Sequence, residues 1–123
     1  LIIDDSPTEV HVLGGMAKKH GYEVITAETG EQGIEVAKER KPDLILMDIQ
    51  LSDSSGLEAT RWIREVEALR DTPIMAVTAF AMREDQRRIL ESGCDDYISK
   101  PFHTDYFLET ISQLVKAEPQ GEA

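Results

Sequence analysis

The chain has 123 residues and a single cysteine, enough for one domain with a real core, too few for two of ordinary size, and unable to form an internal disulfide. Acidic residues outnumber basic ones by 24 to 13, a formal charge of -11, which argues against nucleic acid or an anionic membrane surface as partner and favours a cation or a basic protein patch. No apolar run approaches the roughly 18 residues of a membrane span and no leader is visible, so a cytoplasmic, reducing setting is expected.

Leu1-Ile2-Ile3 reads as the end of a buried strand that runs directly into Asp4-Asp5. A helix is expected next, with Ser6 as N-cap, Pro7 in its first position, Glu9 reaching back as the capping-box partner, and an apolar stripe of Val10, Leu13, Gly14 and Ala17 ending near Gly21. Tyr22 to Thr26 reads as a short strand near a sheet edge. A second helix runs from Thr29-Gly30 to about Arg40, with Ile34 and Ala37 inward.

Lys41-Pro42 then punctuates, and Leu44-Ile45-Leu46-Met47 is a strand buried on both faces that ends abruptly in Asp48. A polar loop leads to a third helix over Gly56 to about Leu69, carrying Leu57, Ile63 and Val66 on one side and Trp62 close to that side as a packing residue. Ile74 to Val77 is a fourth strand closed by Thr78-Ala79. Met82 to Ser92 is a helix with Ile89 and Leu90 inward, stopped by Gly93. Cys94 is expected to be a small buried residue before a brief fifth strand, Tyr97-Ile98-Ser99, which leads to Lys100-Pro101. The last helix, about Thr104 to Lys116, carries Phe107, Leu108, Ile111, Leu114 and Val115.

Strands alternating with helices call for an α/β fold, a doubly wound five-stranded parallel sheet. Residues 1–117 form one domain and 118–123 a frayed polar tail. In the flavodoxin-like order 2-1-3-4-5, strands one and three are neighbours about 4.8 Å apart, so the carboxylates at their ends share one crevice. Crowded like charges of this kind call for a raised pKa or a bound cation, and an all-oxygen site suits Mg²⁺. Beside such an ion Asp48 can act as a phosphoryl acceptor, with Lys100 neutralising charge on the transferred group and the Thr78 hydroxyl bonding one of its oxygens.

Asp4-Asp5, Asp48 with Gly56 eight positions on, Thr78-Ala79 and Lys100-Pro101 together resemble the receiver domains of bacterial two-component response regulators, CheY-like proteins, over essentially the whole chain. The resemblance implies a phosphoacceptor that takes a phosphoryl group from a histidine kinase or histidine phosphotransfer domain onto Asp48 and is autocatalytic only for its own modification. It further implies Mg²⁺ held by Asp5, Asp48 and the Gln50 carbonyl, with Asp4 acting through water. Lys100 and Thr78 contact the phosphoryl group, Thr78 and Tyr97 form the switch, and a cis peptide precedes Pro101. Output is expected through protein contacts on the fourth helix, fifth strand and fifth helix, with no direct nucleic-acid contact.

One departure is Leu51-Ser52, where the family usually has Met-Pro; a more mobile third loop is expected. Phe80, like Gln50 a position that tunes phosphoryl lifetime in the family, positions no attacking water and implies slow loss of the group. Asp4 to Glu35 is similar to single-domain regulators of twitching motility. Ala76 to Met82, Tyr97 to Pro101 and Phe107 to Thr110 are similar to single-domain cell-cycle regulators of alphaproteobacteria. Three rivals are a haloacid-dehalogenase-type phosphatase, a flavodoxin-like flavin carrier and a docking module. The first needs an Asp where Gln50 stands, and the second a phosphate cradle that Asp4-Asp5 would repel.

Overall fold

A computed structural model describes residues 1–49, 51, 55–78, 83–100 and 103–116, with the side chains of 83–85 and 116 excepted. The expectations placed on Gln50, Ser52, Ala79, Phe80, Met82, Pro101 and the 118–123 tail therefore lie outside the described residues. In chain order the elements are β1 (Ile2–Ile3), α1 (Pro7–Lys19), β2 (Thr26–Ala27), α2 (Gly30–Arg40), β3 (Ile45–Asp48), α3 (Gly56–Glu65), a 3-10 turn (Glu67–Leu69), β4 (Ile74–Thr78), α4 (Arg83–Glu91), β5 (Asp96–Ser99) and α5 (Thr104–Lys116). The strands form one parallel sheet in the order β2-β1-β3-β4-β5.

Strand alternation divides the core into two layers. Ile3, Ile45, Met47, Ile74 and Ala76 face Ala37 of α2, Ile63 of α3 and Ile89 of α4. Ile2, Leu46, Met75, Val77 and Ile98 face the other way, onto Leu13 of α1 and Phe107 and Ile111 of α5. Continuous apolar runs thus become strands covered on both sides, as a parallel sheet requires.

Several boundaries and faces differ from the sequence expectation. The second strand is Thr26–Ala27, not Tyr22 to Thr26: the ladder to β1 begins at the Ile25 carbonyl, and Tyr22 and Val24 instead pack onto the second core layer. α3 stops at Glu65 because Val66 turns extended (φ -85°, ψ 116°), and a 3-10 turn carries the chain on to Leu69. Trp62 is 37% exposed and Leu90 48% exposed, since each neighbours the residue that takes the inward position, Ile63 and Ile89, and one residue is about 100° of helix. Ser6 does cap α1, its Oγ accepting from the Glu9 N–H at 3.4 Å. The reciprocal half of the capping box is absent, because the Ser6 N–H donates to Asp4 Oδ1 at 2.8 Å and the Glu9 carboxylate is engaged elsewhere.

Candidate functional site

Parallel pairing delivers the polar strand ends to one edge. Ile3 of β1 lies beside Met47 of β3, so the next residues, Asp4 and Asp48, leave adjacent strands at the same level. Asp48 is paired with Val77 of β4, which Thr78 follows; Thr78 is paired with Ser99 of β5, which Lys100 follows. The Lys100 N–H donates to the Thr78 carbonyl at 2.8 Å, continuing the ladder one step past the strand. Four side chains expected at the site, Asp4, Asp48, Thr78 and Lys100, are thereby brought to one sheet edge.

Three of these are largely removed from water: Asp4 and Thr78 are each 2% exposed and Asp48 is 8% exposed. The α3 N-terminus closes in beside Asp48, where the Gly56 N–H donates to the Ile49 carbonyl at 2.7 Å. A side chain at Gly56 would have no room, because its Cβ would fall 2.1 Å from the Asp48 carbonyl oxygen. Glycine eight residues after Asp48 is thus a requirement of close backbone approach. Tyr97 is half-buried against the first core layer, its N–H donating to the Asp96 carboxylate.

Glu9 joins this site, which the sequence reading missed. Its carboxylate forms an ion pair with the Lys100 ammonium across the mouth between α1 and β5. Asp4, Glu9 and Asp48 each contribute an oxygen, and these lie within 4.8 Å of one another. An acidic residue in the first turn of a helix that starts at a strand's carboxyl end was the available signal; the capping-box pattern explained the same residue and masked it. Asp5, in contrast, is exposed and falls outside this triad. It lines, with Asp4, Thr26 and Glu28, a groove of about 650 Å³ between α1 and β2.

Electrostatics follow from the crowding. Burial pushes the Asp4 carboxyl up to about 7, with contributions from its contact with Glu9 and the charge of Asp48 that outweigh the opposing Ser6 N–H. Burial alone would raise Glu9 too, but its bonds with Asp4 and Lys100 bring it below the usual carboxylate range. Asp4 Oδ2 and Glu9 Oε1 are buried and lack a hydrogen-bond partner. Carboxylate oxygens this close to one another, two of them without a protein donor, fit a hard divalent cation, which would supply the positive charge that offsets their crowding. The site offers no thiolate, since the single cysteine, Cys94, lies beside Thr60 and Ser92, its thiol pushed up by burial.

The family model for the response regulator receiver domain matches residues 1–112. The chain belongs to the response regulator receiver family. Among curated receivers it is 45% identical over 115 residues to the polar-differentiation response regulator DivK of Brucella ovis, and 44% identical to that of Brucella anthropi; each comparison covers 94% of both chains. Among solved structures it superposes on the receiver domain of the sensor histidine kinase PA1611 of Pseudomonas aeruginosa PAO1, with TM-score 0.88, 33% identity and 94% and 95% of the two chains covered. That receiver was crystallised with magnesium coordinated in its active-site cleft. The chemotaxis protein CheY4 of Vibrio cholerae is similar at TM-score 0.87 and 25% identity, over 92% of this chain and 94% of that one. The protein is a two-component signalling receiver with the CheY-like fold, and its acidic pocket is of the kind in which receivers bind Mg²⁺.

Proposed function

We propose that Asp48 is the phosphoacceptor of this receiver, taking a phosphoryl group from the phosphohistidine of a histidine kinase or histidine phosphotransfer domain in a Mg²⁺-dependent reaction. The observation that carries this reading is the convergence of Asp4, Asp48, Thr78 and Lys100 on one sheet edge, with Asp48 seated between the other strand ends. An Asp48 carboxylate oxygen attacks phosphorus as the bond from phosphorus to the donor imidazole nitrogen breaks, and that nitrogen leaves neutral or takes a proton. Lys100 leaves its ion pair to meet the incoming phosphoryl oxygens, and the Thr78 hydroxyl donates to another of them.

As the family resemblance implies, Asp48 and the Gln50 carbonyl, together with Asp5 once it turns in from its exposed position, would hold Mg²⁺ directly and Asp4 would act through water, while Glu9 lies near enough to Asp4 and Asp48 to share its charge. Bound Mg²⁺ supplies neutralisation of charge on the transferred group. The receiver acts on nothing but its own Asp48. Movement of Thr78 toward the phosphoryl group frees space for Tyr97 to turn inward, altering the α4-β5-α5 face through which a downstream protein is engaged. Residues 1–117 form the receiver domain and 118–123 a tail, operating in the cytoplasm on protein partners rather than nucleic acid.

The test is incubation with acetyl phosphate and Mg²⁺ followed by intact mass. The chain gains one phosphoryl group, Asp48→Asn gains none, and omission of Mg²⁺ abolishes the gain. Equal labelling of the Asp48→Asn chain would place the acceptor elsewhere, and no labelling of either would leave a docking module.

A further inference from the structure

We propose that Glu9 is a built-in latch on Lys100, a positioning residue that holds the lysine away from the phosphoryl site in the resting protein and competes with the phosphoryl group for it. The inference rests on the phosphoacceptor reading and concerns regulation of that same site. Three observations carry it. Lys100 and Glu9 are 91 residues apart in sequence yet form an ion pair in which both side chains are about two-thirds or more withdrawn from water, 27% and 32% exposed. Glu9 has its second oxygen buried, with no donor there other than the proton that Asp4 can share, so Lys100 is the one cationic partner among the described residues that holds the carboxylate in the site. The same carboxylate lies within 4.8 Å of ligand oxygens of Asp4 and Asp48, where an incoming phosphoryl dianion meets it as a like charge.

Moving Lys100 onto the phosphoryl group therefore requires separating it from Glu9 or sharing its three N–H donors, and leaves the Glu9 carboxylate facing a dianion at short range. Both effects oppose phosphoryl uptake and shorten its stay. Neutralising Glu9 removes both. A ligand role for Glu9 makes the opposite prediction, because losing a carboxylate from a Mg²⁺ site weakens the metal.

The experiment compares the full chain with Glu9→Gln, Glu9→Asp, Lys100→Ala and the Glu9→Gln/Lys100→Ala double variant. At saturating Mg²⁺, Glu9→Gln is expected to lower the KM for acetyl phosphate and lengthen the phosphoryl half-life, each about three- to tenfold. The gain vanishes on the Lys100→Ala background, and Glu9→Asp, whose carboxylate is retained, stays nearer the parent. In metal-free protein without phosphodonor, Glu9→Gln speeds acylation of Lys100 Nζ relative to the other lysines, read by peptide mass. Unchanged Lys100 acylation overturns the latch whether or not the parent takes up phosphate, whereas a parent that takes up none while acylation rises condemns the phosphoacceptor reading alone. A Mg²⁺ affinity lowered tenfold or more in Glu9→Gln, read by intrinsic fluorescence, with no gain at saturating metal, also overturns it and makes Glu9 a ligand.

Discussion

Gly56 carries no chemistry, yet Asp48 is presented through it: the backbone of one lies against the backbone of the other, and the Cβ that alanine would add has nowhere to go but into the Asp48 carbonyl. Backbone cannot rotate away as a side-chain tip can. Gly56→Ala is therefore expected to cost about 2 kcal/mol or more and to slow phosphorylation even at saturating Mg²⁺. Urea midpoints and the acetyl phosphate rate check this, and a variant matching the parent in both would mean that the loop yields freely. The same scale explains why Glu9 escaped the sequence reading. Ser-x-x-Glu at a helix start is a capping box by pattern, but Asp4 reaches the Ser6 N–H first and Lys100 offers the glutamate a full charge.

Among elements, α3 ties the site to the far side of the sheet. Its N-terminus borders Asp48, while near its other end Arg64 donates to the carbonyls of Gly93 (2.9 Å), Leu69 (3.3 Å), Arg70 (2.9 Å) and Thr72 (2.7 Å) and to the Asp95 carboxylate (2.8 Å). Asp95 in turn accepts from the Ile74 N–H, so one guanidinium joins the approaches to β4 and β5. Gly93 allows the turn there with φ 116°. Arg64→Ala strands these acceptors and is expected to destabilise by about 3 kcal/mol. Arg64→Lys should recover little, because an ammonium cannot span the fork. Both should leave the phosphorylation rate of the folded protein within about twofold of the parent, since Arg64 sits at the amino-terminal edge of the sheet and the chemistry at the other. A large rate loss at full folding would mean that the two edges are coupled through α3.

For the whole molecule, stability, pH and metal are linked through the crowded carboxylates of a chain with net charge -11. Asp4 in the folded protein holds its proton up to about 7, above its ordinary 3.8, so the stabilisation that this gives is complete below the lower value and is lost as pH rises through the higher. Glu9, shifted down, works the other way, favouring the fold above its ordinary value and losing that as pH falls through its lowered one. Without metal, the stability of the parent relative to Asp4→Asn should accordingly fall between pH 4 and 7, by at most about 1.4 kcal/mol per pH unit. Mg²⁺ should flatten that slope and stabilise increasingly toward high pH, beyond what NaCl of equal ionic strength does by screening. Urea midpoints across that range are the measurement; a flat metal-free difference would show that Asp4 ionises as an ordinary carboxylate.

What the sequence determined by itself was whatever depends on local pattern. Apolar runs such as Ile45 to Met47 and Ile74 to Val77 specify strands covered on both faces, helices between them require parallel pairing, and parallel pairing sends Asp4, Asp48, Thr78 and Lys100 to one edge. Helix faces one residue apart were less legible, because Trp62 beside Ile63 and Leu90 beside Ile89 satisfy the same periodicity and only packing chooses between them. Tertiary structure alone decided where Glu9 and Asp5 go. A first-turn glutamate can cap its own helix or cross to another element, and which it does depends on a lysine 91 positions away that chain spacing cannot locate. Long-range charge pairing is settled by three-dimensional proximity, and that exists only once the sheet has closed.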